Sequence, residues 1–187
     1  MNPSAGRPTL AAIFLAGCFA VGAACGAAPH GGATMTLVLK SPDFAAGAGI
    51  PKQFACDGTD ISPALTWTDP PVATQSFALI ADDPDAPVGT WVHWVLFDLP
   101  ANARALSQNV PKKEQLADGS RQGTNDFRKI GYGGPCPPPG KPHRYFFKLY
   151  ALDKKLNLQS GATKKDVERA MQGHILAQGE WMGRYAR

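Results

Sequence analysis

The segment Asp82-Asp83-Pro84-Asp85-Ala86-Pro87-Val88-Gly89-Thr90-Trp91-Val92-His93-Trp94-Val95-Leu96-Phe97-Asp98-Leu99 begins with three carboxylates and ends in an apolar run. Pro84 and Pro87 fix φ and bias the residues before them away from helix, so the acidic part reads as a rigid, non-helical turn. Gly89 lets the chain bend into Trp91–Phe97, whose β-branched and aromatic residues read as a buried strand. Ahead of the turn, Gln75–Ala81 reads the same way. An acidic corner thus joins two core strands, with His93 near the start of the second. A buried strand has little use for a histidine unless something hydrogen-bonds it, and a nearby carboxylate is the natural partner.

Outward from this pair, Met35–Lys40 alternates as a first strand, Pro51–Ala55 reads as a short strand, and Ala64–Thr68 reads as another. Cys56–Pro63 is a loop by composition. Asn102–Lys129 turns polar and is expected to be a long, loosely structured surface excursion. Gly131–Pro142 is a Gly/Pro loop, and Arg144–Leu152 is the clearest alternating strand after it. Thr163 and Asp166 resemble a capping box. Val167, Ala170, Met171, His174 and Ala177 then recur at helical spacing, predicting a helix stopped at Gln178-Gly179, with Trp181–Tyr185 as a final strand. His174 reads as a helix-face residue rather than a ligand.

The length of 187 residues is that of one domain with a sizeable core, and Gly 20 with Pro 17 favours a turn-rich, β-leaning fold. A net charge of +4, scattered along the chain, gives no nucleic-acid footprint. At the N-terminus, Arg7 precedes the short apolar stretch Leu10–Ala16, well under a membrane span. Leu15-Ala16-Gly17-Cys18 has the form of a bacterial lipobox, in which Cys18 is acylated; an ordinary secretory cleavage near Ala24 or Ala28 is the alternative. Residues 1–17 are therefore expected to be a lipoprotein signal peptide, 18–34 a flexible Ala/Gly-rich tether, and 35–187 the domain. Export implies an oxidising compartment, so Cys56 and Cys136 are expected to form a disulfide rather than a metal or catalytic pair. No metal-ligand spacing accompanies either cysteine.

Gly140-Lys141 invites comparison with a phosphate loop. The pattern requires glycine where Pro135 stands, and Ser or Thr where Pro142 stands, so it fails. What remains is a rigid loop delivering His143 and Tyr145 to the start of a strand.

The DPDAP turn, the TWVHW strand start, the GYGGPCPP loop and HRYFFKLYALD resemble the phosphatidylethanolamine-binding protein family, in its bacterial, Raf kinase inhibitor-like branch. CDGTDISPALTW and the terminal WMGRYAR extend the resemblance over residues 35–187. It implies a mainly β fold, an antiparallel β-sandwich with a few peripheral helices, and a small anion pocket at one end. The pocket residues it implies are Asp83, Trp91, His93, Pro138, His143 and Tyr145, with Asp85 supporting the turn and Tyr132 near the rim. The sequence departs from animal members in having Val92 where they place a second histidine. The two histidines and the tyrosine offer donors to a phosphate-containing head group, while Asp83 orients an imidazole.

The expected function is a binding module for a small anionic ligand, tethered through its lipid anchor to a bacterial membrane, with no cofactor and no metal. A protein inhibitor docking on a kinase or protease is the alternative. An Asp/His acid–base hydrolase is a third reading, weakened because no serine sits in a G-x-S-x-G elbow.

Overall fold

The computed structural model describes residues 35–187. The expected signal peptide, Cys18 and the tether lie outside the described residues. In chain order the strands are β1 (Met35–Thr36), β2 (Leu39–Lys40), β3 (Leu65–Trp67), β4 (Ser76–Asp83), β5 (Trp91–Pro100), β6 (Ala105–Leu106), β7 (Arg121–Gln122), β8 (His143–Leu152) and β9 (Ile175–Tyr185). Helix α1 (Lys164–Met171) lies between the last two.

The long apolar strands explain the architecture. Along β4 and β5 successive side chains point to opposite faces, and nearly all are buried. Phe77, Leu79, Trp94 and Leu96 enter one apolar cluster, with Leu39, Leu65 and Trp67 of the facing sheet. Ala78, Ile80, Val95 and Phe97 enter a second, under Val167 and Met171 of α1. A strand covered on both faces needs no polar alternation, which is why these stretches read as continuous apolar runs. Each fully buried Leu or Phe contributes about 1.5–3 kcal/mol.

The larger sheet has the order β1-β9-β8-β4-β5-β7 and the smaller the order β2-β3-β6. Their strands pair antiparallel except β1, which lies parallel to β9. Trp67 meets Phe77 edge to face across the sandwich, with ring centroids 5.4 Å apart. The mainly β sandwich is as expected. Its helical content among the described residues is α1 and one 3₁₀ turn.

Four local expectations are corrected. Met35–Lys40 is not one strand: the chain crosses between sheets near Val38, so β1 joins β9 and β2 joins β3. Pro51–Ala55 holds a 3₁₀ turn, Lys52–Phe54, instead of a strand. Helix α1 starts as expected, with Thr163 Oγ1 accepting from Asp166 N and Asp166 Oδ2 accepting from Thr163 N at 3.1 Å. It ends at Met171, however, because Gly173 takes a left-handed φ of 76°, and the chain then runs as the full length of β9. His174 lies past the helix, its Nδ1 2.8 Å from Asp153 Oδ1.

The fourth correction concerns Asn102–Lys129, which is anchored rather than loose. Gln122 is fully buried; its Oε1 accepts from Trp94 Nε1 at 2.8 Å, and its Nε2 donates to the carbonyls of Pro111 and Lys113 at 2.7 and 2.8 Å. Asn125 Nδ2 donates to Gly131 O at 2.9 Å, and its Oδ1 accepts from Lys129 N at 3.1 Å. The polar residues here are internal, replacing ladder bonds that an irregular chain cannot make.

Candidate functional site

The end of β4 separates two adjacent carboxylates. Asp82 and Asp83 close the strand rather than sitting on the turn, and strand alternation sends them to opposite faces. Asp82, 1% exposed, meets Lys148 Nζ at 2.9 Å and Lys164 Nζ at 2.6 Å, tying β8 and α1 to the sheet. Asp83, 3% exposed, turns the other way. Its Oδ1 accepts from Asp85 N at 2.8 Å, pinning the Pro-rich turn, and its Oδ2 accepts from His143 Nδ1 at 2.8 Å. Asp85 in turn accepts from the backbone N, Nε and Nη2 of Arg144 at 2.9, 2.8 and 2.6 Å. Those hydrogen bonds hold its carboxyl down at about 2.

His93 is placed by a bulge. The β4–β5 register slips between Ala81 and Asp82, so Ala81 opposes Trp94, Asp82 opposes Val92, and His93 is the extra residue. The ring turns to the Gly131–Pro142 loop: Nδ1 donates to Gly133 O at 2.7 Å while His93 O accepts from Gly133 N at 2.9 Å. The bond anticipated between a histidine and Asp83 is made by His143. Burial pushes the His93 pKa below its ordinary 6.5, against the opposing pull of the Gly133 bond and the Asp83 charge.

The loop itself is held from behind. Cys56 and Cys136 are disulfide-bonded with Cα atoms 5.4 Å apart, as expected. Gly134 N donates to Asp60 Oδ1 at 2.7 Å. A Cβ at Gly134 would lie 2.2 Å from Phe54 O, so only glycine permits this approach.

These elements enclose a cavity of about 190 Å³ lined by Asp83, Trp91, His93, His143 and Pro138, together with the Ala86–Val88 turn, Cys136, Pro137 and Phe127. Five of the expected pocket residues thus converge. Tyr145 does not line the cavity; it is 2% exposed, and its ring lies edge-on to His93 at 5.1 Å, fixing the imidazole plane. Burial first, and the Asp83 charge second, raise its pKa, yet its Oη is buried with no hydrogen-bond partner among the described residues. Trp91 Nε1 is likewise buried with no partner among the described residues. Tyr132 is not at the rim: it is buried against Trp94 and donates to Phe54 O at 2.8 Å.

Phe127 was not foreseen. It stands in the polar excursion and forms a wall, with ring centroids 5.5 Å from Trp91 and 5.4 Å from His93. An isolated aromatic residue in a polar stretch was the available signal. The loop bearing it is fixed to β5 by Asp126, whose Oδ2 accepts from Val92 N at 2.7 Å.

Chemically, the cavity offers two imidazoles whose Nδ1 atoms are committed and whose Nε2 atoms carry no protein hydrogen bond among the described residues. Apolar and aromatic walls surround them. No group of three or more ligand-type side chains among the described residues could hold a metal ion. A larger depression of about 460 Å³ lies along β8 and β9. Its cation, Lys148, is already paired with Asp82, and it contains no histidine.

The family model for phosphatidylethanolamine-binding protein matches residues 40–186. A UPF0098 protein of Aquifex aeolicus is 52% identical over 159 residues, spanning 84% of this chain and 91% of the relative. Among solved structures, the Escherichia coli protein YbcL, described as a member of the mammalian PEBP family, superposes with a TM-score of 0.76 at 33% identity, covering 81% of this chain and 98% of that one. The phosphatidylethanolamine-binding protein homologue CT736 of Chlamydia trachomatis gives a TM-score of 0.74 at 38% identity, covering 82% and 99%.

Proposed function

Since this chain belongs to the phosphatidylethanolamine-binding protein family, we propose that it is a binding protein whose cavity takes a small oxyanion of the phosphate or phospho-head-group type. The observation that carries the reading is the pair of imidazoles lining one apolar cavity, each held through Nδ1 and with no hydrogen bond to Nε2 among the described residues. His143 has Asp83 behind it, so an imidazolium there has a counter-charge and can donate to the ligand. The cavity volume suits a head group rather than a whole lipid. The disulfide takes up both cysteines of the described residues, so neither is left as a thiol nucleophile, which supports a binding role over covalent catalysis.

The test is calorimetric titration of inorganic phosphate into parent, His143→Ala and His174→Ala proteins. Loss of a charged hydrogen bond, worth about 1.5–3 kcal/mol, should weaken binding by roughly one to two decades in His143→Ala. His174→Ala, altered at the distant Asp153 pair, should bind like the parent. Equal affinity in all three proteins would refute the reading.

The proposal includes export and attachment to a bacterial membrane through acylated Cys18. A disulfide within the domain fits an oxidising compartment and supports export. Cys18→Ser should leave uncleaved precursor and abolish detergent partitioning of the mature form. Normal processing and partitioning of that variant would overturn the anchor.

A further inference from the structure

The two ends of the sandwich differ in what they expose, and the chain enters the domain at one of them. Strand β9 runs from Ile175 to Tyr185, and its partner β8 runs the other way, from His143 to Leu152. His143 pairs with Tyr185 at the end that carries the cavity, and Leu152 pairs with Ile175 at the opposite end. Strand β1 lies parallel to β9, with Met35 opposite Ala177. The chain therefore comes in from the far end, heading toward the cavity. At about 3.3 Å per residue, the run from Ala177 to Tyr185 puts roughly 26 Å between Met35 and the cavity end.

The end where the chain enters is the more apolar at its surface. Of the large hydrophobic side chains exposed among the described residues, Met35, Val38 and Val72 stand there, and Val88 stands at the cavity end. Val72 is fully exposed in the turn between β3 and β4, beside Pro70 and Pro71. Backbone bonds join these residues into one surface. Thr68 N donates to Val38 O at 3.2 Å, and Val38 N donates to Thr68 Oγ1 at 3.0 Å. Past the turn, Gln75 N donates to Leu152 O at 2.8 Å and Ser76 Oγ donates to Lys154 O, which brings Lys154 and Lys155 alongside. Arg104 pairs with Asp69, and His174 meets Asp153, each at 2.8 Å. Arg104, Lys154 and Lys155 outnumber Asp69 and Asp153, so the excess charge of this end is positive.

We propose that this end is a membrane-contact surface, which seats the domain on a lipid bilayer with its cavity end facing away. This rests on the reading of Cys18 as an acylated anchor. Residues 19–34 join Cys18 to Met35, a chain that spans at most about 60 Å even when fully extended. The anchored domain is thus held at a high effective concentration beside the lipid, where a small patch is enough to decide which side lies down. Met35, Val38 and Val72 meet the boundary between head groups and acyl chains, and the excess positive charge meets anionic head groups. The entry point of the chain and the apolar surface lie at the same end, so seating the patch puts no strain on the connection to the anchor.

The experiment is hydrogen–deuterium exchange of the processed, full-length protein on vesicles of phosphatidylethanolamine and phosphatidylglycerol, beside a Val38→Asp/Val72→Asp protein on the same vesicles. Both substitutions fall at exposed positions, so the variant keeps its fold and its anchor. With intrinsic rates corrected, the amides of 72–73 and 154–155 should exchange severalfold more slowly in the parent than in the variant, while those of 85–90 exchange alike in both. Within the parent alone, the vesicle should slow the first two segments and leave 85–90 as it is in detergent. Slowing of 85–90 instead would turn the domain over and refute the proposal while leaving the anchor standing. Slowing of neither end would show a domain that hangs clear of the surface, and would refute it equally. Slowing of 72–73 that grows with protein concentration in detergent, without vesicles, would give the patch to a second copy and overturn the membrane contact. A mature protein whose mass includes no acyl group, and which does not sediment with the vesicles, would overturn the anchor and the seating with it.

Discussion

Removing the Cys56–Cys136 disulfide tests whether it acts on the unfolded chain or on the native pocket. The bond closes a loop with a sequence separation of 80 residues. The loop-entropy relation for a ring of that size gives about 4.5 kcal/mol of stabilisation. For a chain of this length each kcal/mol moves the thermal midpoint by about 2–4 °C, so reduction should lower it by roughly 9–18 °C. The native loops have other attachments: Cys56 N donates to Pro135 O at 3.0 Å, Gly134 N to Asp60 Oδ1 at 2.7 Å and Tyr132 Oη to Phe54 O at 2.8 Å. The reduced protein should therefore keep its near-ultraviolet circular dichroism at low temperature. Scanning calorimetry of oxidised, reduced and Cys56→Ser/Cys136→Ser proteins measures the shift. A drop under about 3 °C would refute the entropy argument. Loss of the near-ultraviolet signal before unfolding would show instead that the bond holds the native loop in place.

Two further outcomes are expected. Gln122→Leu orphans Trp94 Nε1 and the carbonyls of Pro111 and Lys113; it should cost about 3 kcal/mol in urea unfolding, and a loss under about 1 kcal/mol would contradict the anchoring role. Stability should also fall on acidification in two windows. Because the native pKa of His93 lies below its ordinary 6.5, the unfolded chain takes that proton first, so stability is full above about 6.5 and declines as pH falls toward the native value. Because Asp85 titrates at about 2 instead of 3.8, its contribution is present above 3.8 and is lost as pH falls toward 2. Urea titrations across pH resolve both windows, and Asp85→Asn should flatten the lower one.

The paired core strands and the acidic corner were legible because apolar runs and prolines act locally. The same holds for the capping box of α1. The helix end was not legible: Ala177 continues the helical spacing past Gly173, and only the pairing of β9 along the whole of β8 shows that the apolar residues after the glycine serve a sheet. Gln122 and Asn125 misled for the opposite reason. A polar residue that is buried to satisfy backbone groups looks, in sequence, like a polar residue in solvent. Within the site, Asp83, Trp91, His93, Pro138 and His143 were named in advance, and the structure brings them to one cavity. The division of labour between the histidines was not, since it depends on the bulge that turns His93 to Gly133 and leaves Asp83 to His143. Phe127 reaches the cavity only because Asp126 bonds to a strand that lies distant in sequence.

The opposed orientation of Asp82 and Asp83 makes β4 a partition between two ionic compartments. On one side, a carboxylate is neutralised by Lys148 and Lys164 and holds a helix to the sheet. On the other, its neighbour meets the His143 imidazole, the Asp85 backbone N and the cavity. One peptide bond separates them, yet they answer to different partners. The charge of the cavity-facing compartment can therefore be altered, by substitution at His143 for instance, while the clamp on α1 keeps both of its cations. The scaffold and the site share a strand without sharing an electrostatic balance.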